Sequence, residues 1–474
     1  MNNKDAESEP RTLTRRRFLG ASAATLAAPY LLSSCVGGQA SKPNFLFIMA
    51  DDMPKWMLEH MPTVLGGIGA QGIVFESFYA AQPLCSPNRA TFLTGRYPHN
   101  HRLLTNAAAA KTFHERGLDQ NTVATDLKSM AGYKTALIGK YFNATGASSE
   151  RNYVPAGWDR WVSLASAHNP TILANIDGTW GDTGVSTTGE TRWLSDHADT
   201  FIRANADGPW FCVLSLRAPH GPYTPSADSE HYADDIPLRR TESFGEPDAD
   251  GGVSDKPSKL RRKALSAERI AKIEATQEGM LEELQDVDRE VGRLLDVISS
   301  TNQAERTYII FTSDNGFLFG EHRLVGKDLA YKEASTLPFV VRGPGVAPGS
   351  KSDAAASMVD VRATLANLAG VAGDVTHDGR SLAALLSGTH ATWRKRLLVE
   401  SPPYKQDAGW FALFDPPHIY VEWSTGAKEL YDLAADPAEL KSLHASRPEL
   451  VMTYSSRLAA LKTAQGDALR EAET

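Results

Sequence analysis

The chain has 474 residues, 42% of them apolar and 22% charged, an ordinary composition for a globular enzyme and enough chain for one large domain plus a small one. The formal net charge is -8, with both signs mixed along the sequence. That excludes the basic footprint of a nucleic-acid binder and leaves room for local cationic pockets that take anionic substrates.

The first segment reads as an address rather than as part of the fold. Arg15-Arg16-Arg17-Phe18-Leu19-Gly20 is a twin-arginine export signature, and a modestly apolar, Ala-rich stretch follows to Leu32. The stretch is too short and too weakly apolar for a permanent membrane span. Leu32-Ser33-Ser34-Cys35 resembles a lipobox, in which Cys35 would carry a lipid after cleavage; plain signal cleavage nearby is the alternative. Residues 1–35 are therefore expected to be signal and 36–42 a polar linker. The expected location is extracytoplasmic, reached through the twin-arginine machinery, with membrane contact only through Cys35.

Asn44-Phe45-Leu46-Phe47-Ile48-Met49 is a compact apolar run ending in Ala50-Asp51-Asp52. It predicts a buried strand that delivers two carboxylates at its C-terminal end. Thr135–Gly139 and Trp210–Leu216 repeat the pattern, as does Thr307–Phe311, which runs into Thr312-Ser313-Asp314-Asn315-Gly316. Helical periodicity lies between these runs, at Asp119–Met130 and Thr191–Ala204. Alternation of this kind implies an α/β protein with ligands bound beyond the strand ends.

Thr224–Lys263 is charged and aperiodic, a long surface excursion near the site. Ser266–Ile298 is the clearest helix, with Ser266 as N-cap and Glu268 in the first turn. Its stripe of Met280, Leu284, Val287, Val291, Leu294 and Ile298 predicts one face against the core. After Leu386 the pattern changes to short antiparallel strands at Leu397–Val399, Trp410–Phe414 and Ile419–Trp423, then a helix at Ser446–Ala464. The expected division is a catalytic domain over 43–387 and a C-terminal subdomain over 388–474. Of the three cysteines, Cys35 is in the signal, Cys212 in an apolar run reads as a core thiol, and Cys85 stands in a polar motif.

That motif is Cys85-Ser86-Pro87-Asn88-Arg89, followed by Ala90-Thr91-Phe92-Leu93-Thr94-Gly95-Arg96. It resembles the signature of the type I sulfatase family, whose motif cysteine is oxidised to formylglycine. The family's usual fourth residue is serine; here it is Asn88. The resemblance implies a hydrolase of sulfate esters with an alkaline-phosphatase-like α/β fold: a large, mostly parallel sheet between helices, and a smaller C-terminal α+β part with a short antiparallel sheet. It implies that Cys85, after conversion by a formylglycine-generating enzyme, forms a geminal diol, one hydroxyl of which attacks sulfur. A sulfated intermediate would collapse when the other hydroxyl loses its proton. Arg89 would stabilise the charged nucleophile.

The same resemblance extends over most of the chain. Asp51-Asp52 and Asp314-Asn315 are similar to the family's two pairs of metal ligands, and these oxygen donors with the diol at Cys85 suit a hard cation, Ca2+ first and Mg2+ second. Gly139-Lys140, Pro219-His220 and Gly326-Lys327 resemble its cationic segments. They imply that Lys140 contacts sulfate, that His220 binds sulfate and takes a proton, and that Lys327 protonates the leaving alcohol. Many members carry histidine two residues after the first lysine; here Phe142 stands there, so the leaving-group acid falls to Lys327 first and His101 second. His322 reads as structural. Gly95–His101 and Gly139-Lys140-Tyr141-Phe142-Asn143 resemble the N-acetylglucosamine-6-sulfatase branch, implying a sulfated small molecule or saccharide as substrate and His101 and Asn143 as sugar contacts. Two alternatives stay open on the sequence. One is a phosphonate or phosphodiester hydrolase with the same site; the other is a non-catalytic, anchored binder of sulfated glycans with Cys85 unconverted.

Overall fold

The computed structural model describes residues 42–143, 145–146, 150–165, 170–247, 252–371, 377–389 and 392–474. The twin-arginine motif, the lipobox with Cys35, and the linker up to residue 41 lie outside the described residues. Residues 41–474 form one compact unit.

Its centre is a ten-stranded sheet. In spatial order the strands are Ser350–Ser352, Ile73–Phe75, Phe339–Arg342, Thr307–Ser313, Asn44–Ala50, Trp210–Ser215, Lys134–Gly139, Arg160–Leu164, Thr171–Ile176 and Thr179–Ser186. The five strands from Thr307–Ser313 to Arg160–Leu164 are parallel. Antiparallel pairings extend the sheet on both sides, and at one edge Ser350–Ser352 pairs in parallel with Ile73–Phe75.

The apolar runs have a simple cause. Every residue of Asn44–Ala50 is buried, because helices cover both faces of the parallel region. Phe45, Phe47 and Met49 point into one core with the helices Cys85–Thr94, Val123–Ala131 and Asp360–Leu368. Leu46, Ile48 and Ala50 point into the other, against Glu190–Ala204 and Ala267–Ser300. Cys212 is buried in this second core, as read from the sequence.

Helix termini follow local chemistry. Thr122 and Thr125 form a reciprocal capping box at Val123–Ala131, and Gly132 ends that helix at φ 74°. Ser266 accepts a hydrogen bond from Arg269 N at the start of Ala267–Ser300. The predicted stripe from Met280 to Ile298 is buried in the core, as its periodicity implied.

Several elements escaped the sequence reading, among them the strands Ile73–Phe75, Arg160–Leu164, Phe339–Arg342 and Ser350–Ser352, the hairpin Thr171–Ile176/Thr179–Ser186, and the helices Asp360–Leu368 and Gly466–Ala472. The expected short antiparallel sheet is present with a fourth strand: Leu397–Ser401, Trp410–Asp415, His418–Trp423 and Lys428–Asp432. The preceding helix is Pro448–Leu461, shorter at both ends than the periodicity suggested. The described residues of the 224–263 excursion form turns and irregular segments with one short helix at Gly252–Asp255. Buried carboxylates of the long helix hold it: Thr224 N donates to Glu283 at 2.7 Å, and Ser226 N to Asp286 at 2.7 Å.

Register brings the chemistry together. Met49 and Gly139 both pair with Ser215, and Ala50 pairs with Ser313. The residues just past these four strand ends, Asp51-Asp52, Lys140, Arg217 and Asp314-Asn315, therefore emerge at one edge of the sheet.

Candidate active site

Cys85 is the first residue of the helix Cys85–Thr94 and is fully buried. Pro87 fits in that first turn because its missing N–H has no intrahelical partner to lose. The thiol faces the strand ends: Sγ lies 3.6 Å from Asp51 Oδ1 and 3.9 Å from Asp52 Oδ1. Lys327 Nζ is 2.8 Å from the same sulfur. The ligand atoms of Asp51, Asp52, Cys85 and Asp314 all lie within 4.8 Å of one another.

Three cations face the three carboxylates. Arg89 Nε donates to Asp314 Oδ2 at 2.8 Å, while its Nη1 donates to Ser215 Oγ at 2.6 Å and to Lys140 O at 2.9 Å. Lys140 Nζ pairs with Asp51, and Lys327 Nζ pairs with Asp52. Burial pushes the Asp51 carboxyl up, but Lys140, His220 and Arg89 outweigh it and hold it below the usual carboxylate range. Asp52 is likewise driven up by burial and brought below its usual value by Lys327 and His220. Burial disfavours the Lys327 ammonium, yet Asp52 and its neighbours keep it charged well into the alkaline range. The Cys85 thiol is pushed up to about 12, first by burial. An unmodified thiol here is protonated at neutral pH and a weak nucleophile.

The donor set fits a hard divalent cation. Three buried carboxylates converge, and Asn315 Oδ1 is a buried acceptor with no hydrogen-bond partner, while its Nδ2 donates to Asp52 Oδ1 at 2.7 Å. Oxygen donors from two strand ends are what Ca2+ or Mg2+ require. Asn88, the departure from serine, fastens this cluster: it accepts from Ala81 N at 3.0 Å and donates to Asp314 O at 2.6 Å.

His220 Nε2 lies 3.7 Å from Asp52 Oδ2, and its Nδ1 is 2.6 Å from Gly221 O. A proton on Nδ1 donated to that carbonyl leaves Nε2 facing the carboxylates. Beside the cluster opens a pocket of about 410 Å³, lined by Asp51, Lys140, Phe142, Asn143, Arg217 and His220 among others. Asn143 is thus on the pocket wall, oriented by Ser86 Oγ at 2.9 Å. Phe142 packs its ring against Phe113 and Tyr141.

His101 is not brought to the pocket. It is 1% exposed, bonded to Thr91 Oγ1 at 3.2 Å and accepting from Leu103 N at 3.1 Å. Burial lowers its pKa to about 3, so it holds the loop as a neutral ring behind the Cys85 helix. Its expected role as sugar contact or second-choice acid is corrected accordingly. His322 is structural as read, with Nδ1 2.8 Å from Glu246 and its ring stacked on Tyr331. The sequence reading missed Arg217, which lines the pocket and pairs with buried Glu190 at 3.1 Å. Its only signal was its place between a strand and His220.

A family model described as Sulfatase matches residues 43–371, and one described as N-sulphoglucosamine sulphohydrolase, C-terminal, matches residues 320–464. The chain is 27% identical to the N-acetylglucosamine-6-sulfatase of Homo sapiens, over 93% of this chain and 89% of that protein. It is 26% identical to the N-acetylglucosamine-6-O-sulfatase of Bacteroides thetaiotaomicron, over 87% and 85%. Among solved structures it is similar in fold to one in complex with its substrate D-glucosamine-2-N,6-O-disulfate, with TM-score 0.71, 22% identity, and 88% and 97% of the two chains covered. The phosphonate monoester hydrolase of Agrobacterium radiobacter has TM-score 0.69 at 20% identity, with 88% and 95% covered.

Proposed function

Because the chain belongs to the sulfatase family and is a sulfuric ester hydrolase, we propose that it removes sulfate from sulfated amino sugars of the N-acetylglucosamine-6-sulfate kind. In this reading Cys85 is converted to formylglycine, and Asp51, Asp52, Asp314 and Asn315 hold a Ca2+ ion, with Mg2+ the second choice. The single observation that carries it is the convergence on one buried atom: Cys85 Sγ stands within 4 Å of two carboxylates and 2.8 Å from a lysine ammonium.

Bound there, the ion would supply positive charge and Lewis acidity, and the formylglycine would supply a hydrated aldehyde as the nucleophile. The chain's own residues account for the remaining work. Arg89, locked to Asp314, Ser215 and the Lys140 carbonyl, is a fixed cation behind the nucleophile. Lys140, Lys327 and Arg89 already balance the charge of the three carboxylates, so a divalent ion makes the site net positive and selective for an anionic ester. Lys140 and Lys327 are the donors for the sulfate oxygens. Lys327 also holds the proton for the departing alcohol, since Phe142 and the buried His101 offer none. His220 Nε2 accepts the proton that ends the cycle. Asn143 and Arg217, on the pocket wall, contact the sugar.

The export reading completes the proposal. A twin-arginine route fits a protein that is folded, and has Cys85 oxidised, before it crosses the membrane; lipid attachment would be at Cys35.

Inorganic sulfate release tests the reaction. Protein produced with a formylglycine-generating enzyme and loaded with Ca2+ is expected to turn over N-acetylglucosamine-6-sulfate in preference to a phosphate diester or a phosphonate monoester. Peptide mass analysis should show the aldehyde at position 85. Dominant phosphodiester hydrolysis would overturn the substrate reading, and full activity with an intact Cys85 thiol would overturn the mechanism.

A further inference from the structure

Arg217 and His220 line two hollows at once. One is the pocket beside Cys85. The other, of about 490 Å³, lies where the start of the helix Glu190–Ala204 and the 217–224 segment meet the long helix Ala267–Ser300. No step of the proposed reaction uses this second hollow.

Three carboxylates line it, and they differ in their partners. Asp286 is fully engaged: Ser226 and Ser229 donate to it, and Arg289 Nη1 donates to Oδ1 at 2.8 Å. Glu190 Oε2 is 3.1 Å from Arg217 Nη2, an ion pair without hydrogen-bond alignment. Glu283 has no ion pair among the described residues. Thr224 N donates to its Oε1 at 2.7 Å, and its Oε2 is buried without a hydrogen-bond partner. Glu190 is 8% exposed and Glu283 7%, so water does little for either. An ionised carboxylate left unpaired at that depth is costly. Burial raises the Glu283 carboxyl and Thr224 N opposes the rise; Glu190 and Asp286 add to it and Arg217 opposes, leaving it at about 8. Tyr223 also faces Glu283.

A group with a positive charge and several N–H donors would answer all of this together. It gives Glu283 Oε2 a partner, gives Glu190 Oε2 an aligned one, and offsets the repulsion between the two. A hydroxyl brings one donor and no charge. A bare metal ion fits less well: among the described residues the carboxylates that converge closely enough to hold one are those at Cys85.

We infer that this second hollow is a subsite for a primary ammonium on the substrate, so that the preferred sugar sulfate carries its amine free rather than acetylated. The inference rests on the sulfatase reading of the Cys85 site and names its substrate class. Arg217 and His220, shared by both hollows, are the wall across which one ligand presents its sulfate and its ammonium. A charge-assisted hydrogen bond to a buried carboxylate is worth about tenfold in affinity.

Three hexose 6-sulfates that differ only at carbon 2 provide the test: glucosamine-6-sulfate, N-acetylglucosamine-6-sulfate and glucose-6-sulfate. Sulfate release is measured with the mature enzyme and its Glu283→Gln variant, which keeps an acceptor for Thr224 N and removes the charge. Binding is read by calorimetry in a Cys85→Ala background, with and without Glu283→Gln. The expected result is kcat/KM about tenfold higher for glucosamine-6-sulfate than for the other two, and loss of that preference in Glu283→Gln. A proton count is the second readout. At about pH 6.5 the amine is charged and Glu283 is protonated, so glucosamine-6-sulfate should expel up to one more proton on binding than glucose-6-sulfate does. The binding heat should then depend on the ionisation enthalpy of the buffer, and Glu283→Gln should remove the difference. Equal kcat/KM on the three sugars, a preference that survives Glu283→Gln, or amine binding without the extra proton would overturn the subsite while leaving the sulfatase reading standing. Absence of sulfate release from every ester by the mature enzyme, with the amine-dependent proton release intact, would instead sink the sulfatase reading and keep the subsite.

Discussion

Replacing Asn88 by serine, the residue usual at this place in the family, should weaken this protein. Asn88 is fully buried and spans two backbone groups: Ala81 N donates to its Oδ1 at 3.0 Å, and its Nδ2 donates to Asp314 O at 2.6 Å. A serine hydroxyl is one atom shorter and cannot reach both. One buried backbone group then loses its partner, at a cost of about 1–3 kcal/mol. Asn88→Ala loses both partners and should cost about twice as much on the same basis. Because Asp314 is the residue braced, the loss should also appear at the site, as weaker Ca2+ binding. Urea unfolding of metal-free protein measures the first effect, and calorimetric Ca2+ titration measures the second. An Asn88→Ser protein with an unchanged urea midpoint and unchanged Ca2+ affinity would refute the claim that the asparagine is a brace.

Chelation followed by Ca2+ addition should abolish and restore sulfate release, and the ion should raise stability by about 2.7 kcal/mol at a concentration 100 times its Kd; a melting temperature indifferent to Ca2+ would count against Asp51, Asp52, Asp314 and Asn315 as ligands. Lys327→Ala should lower kcat by about 10²–10⁴-fold on a sugar sulfate, whose alcohol must be protonated, and far less on p-nitrophenyl sulfate, whose phenolate leaves unaided; equal losses on both would reassign the proton. Burial raises the Glu283 carboxyl from 4.5 to about 8. The folded state therefore keeps a proton that the unfolded chain releases across that window, and stability is full below 4.5 and declines as pH climbs toward 8. Glu283→Gln preserves the acceptor for Thr224 N and should flatten that decline, as read by urea midpoints from pH 5 to 8; an unchanged slope would mean that Glu283 titrates normally.

Much of this was legible in the sequence, for definite physical reasons. Central parallel strands are buried on both faces, so Asn44–Ala50, Trp210–Ser215 and Thr307–Ser313 appear as unbroken apolar runs. The long helix buries one stripe and shows it as periodicity. The charged residues after the strand ends were likewise singled out once the Cys85 motif gave them a common chemistry, and the structure brings Asp51, Asp52, Asp314, Lys140 and Lys327 together. The hairpin Thr171–Ser186 was not legible, because its outer strand is largely exposed and carries Thr, Gly and Asp without apolar alternation. His101 stands in a motif that looks the same whether its ring turns to the pocket or, as found, behind the helix. The two hydrogen bonds of Asn88 and the pairing of Arg217 with Glu190 were decided only by the tertiary structure. A residue pattern records how deeply a segment will be buried. Which distant segment it meets is set by strand register and helix packing, where single hydrogen bonds and ion pairs between residues far apart in the chain choose among partners that the pattern treats alike.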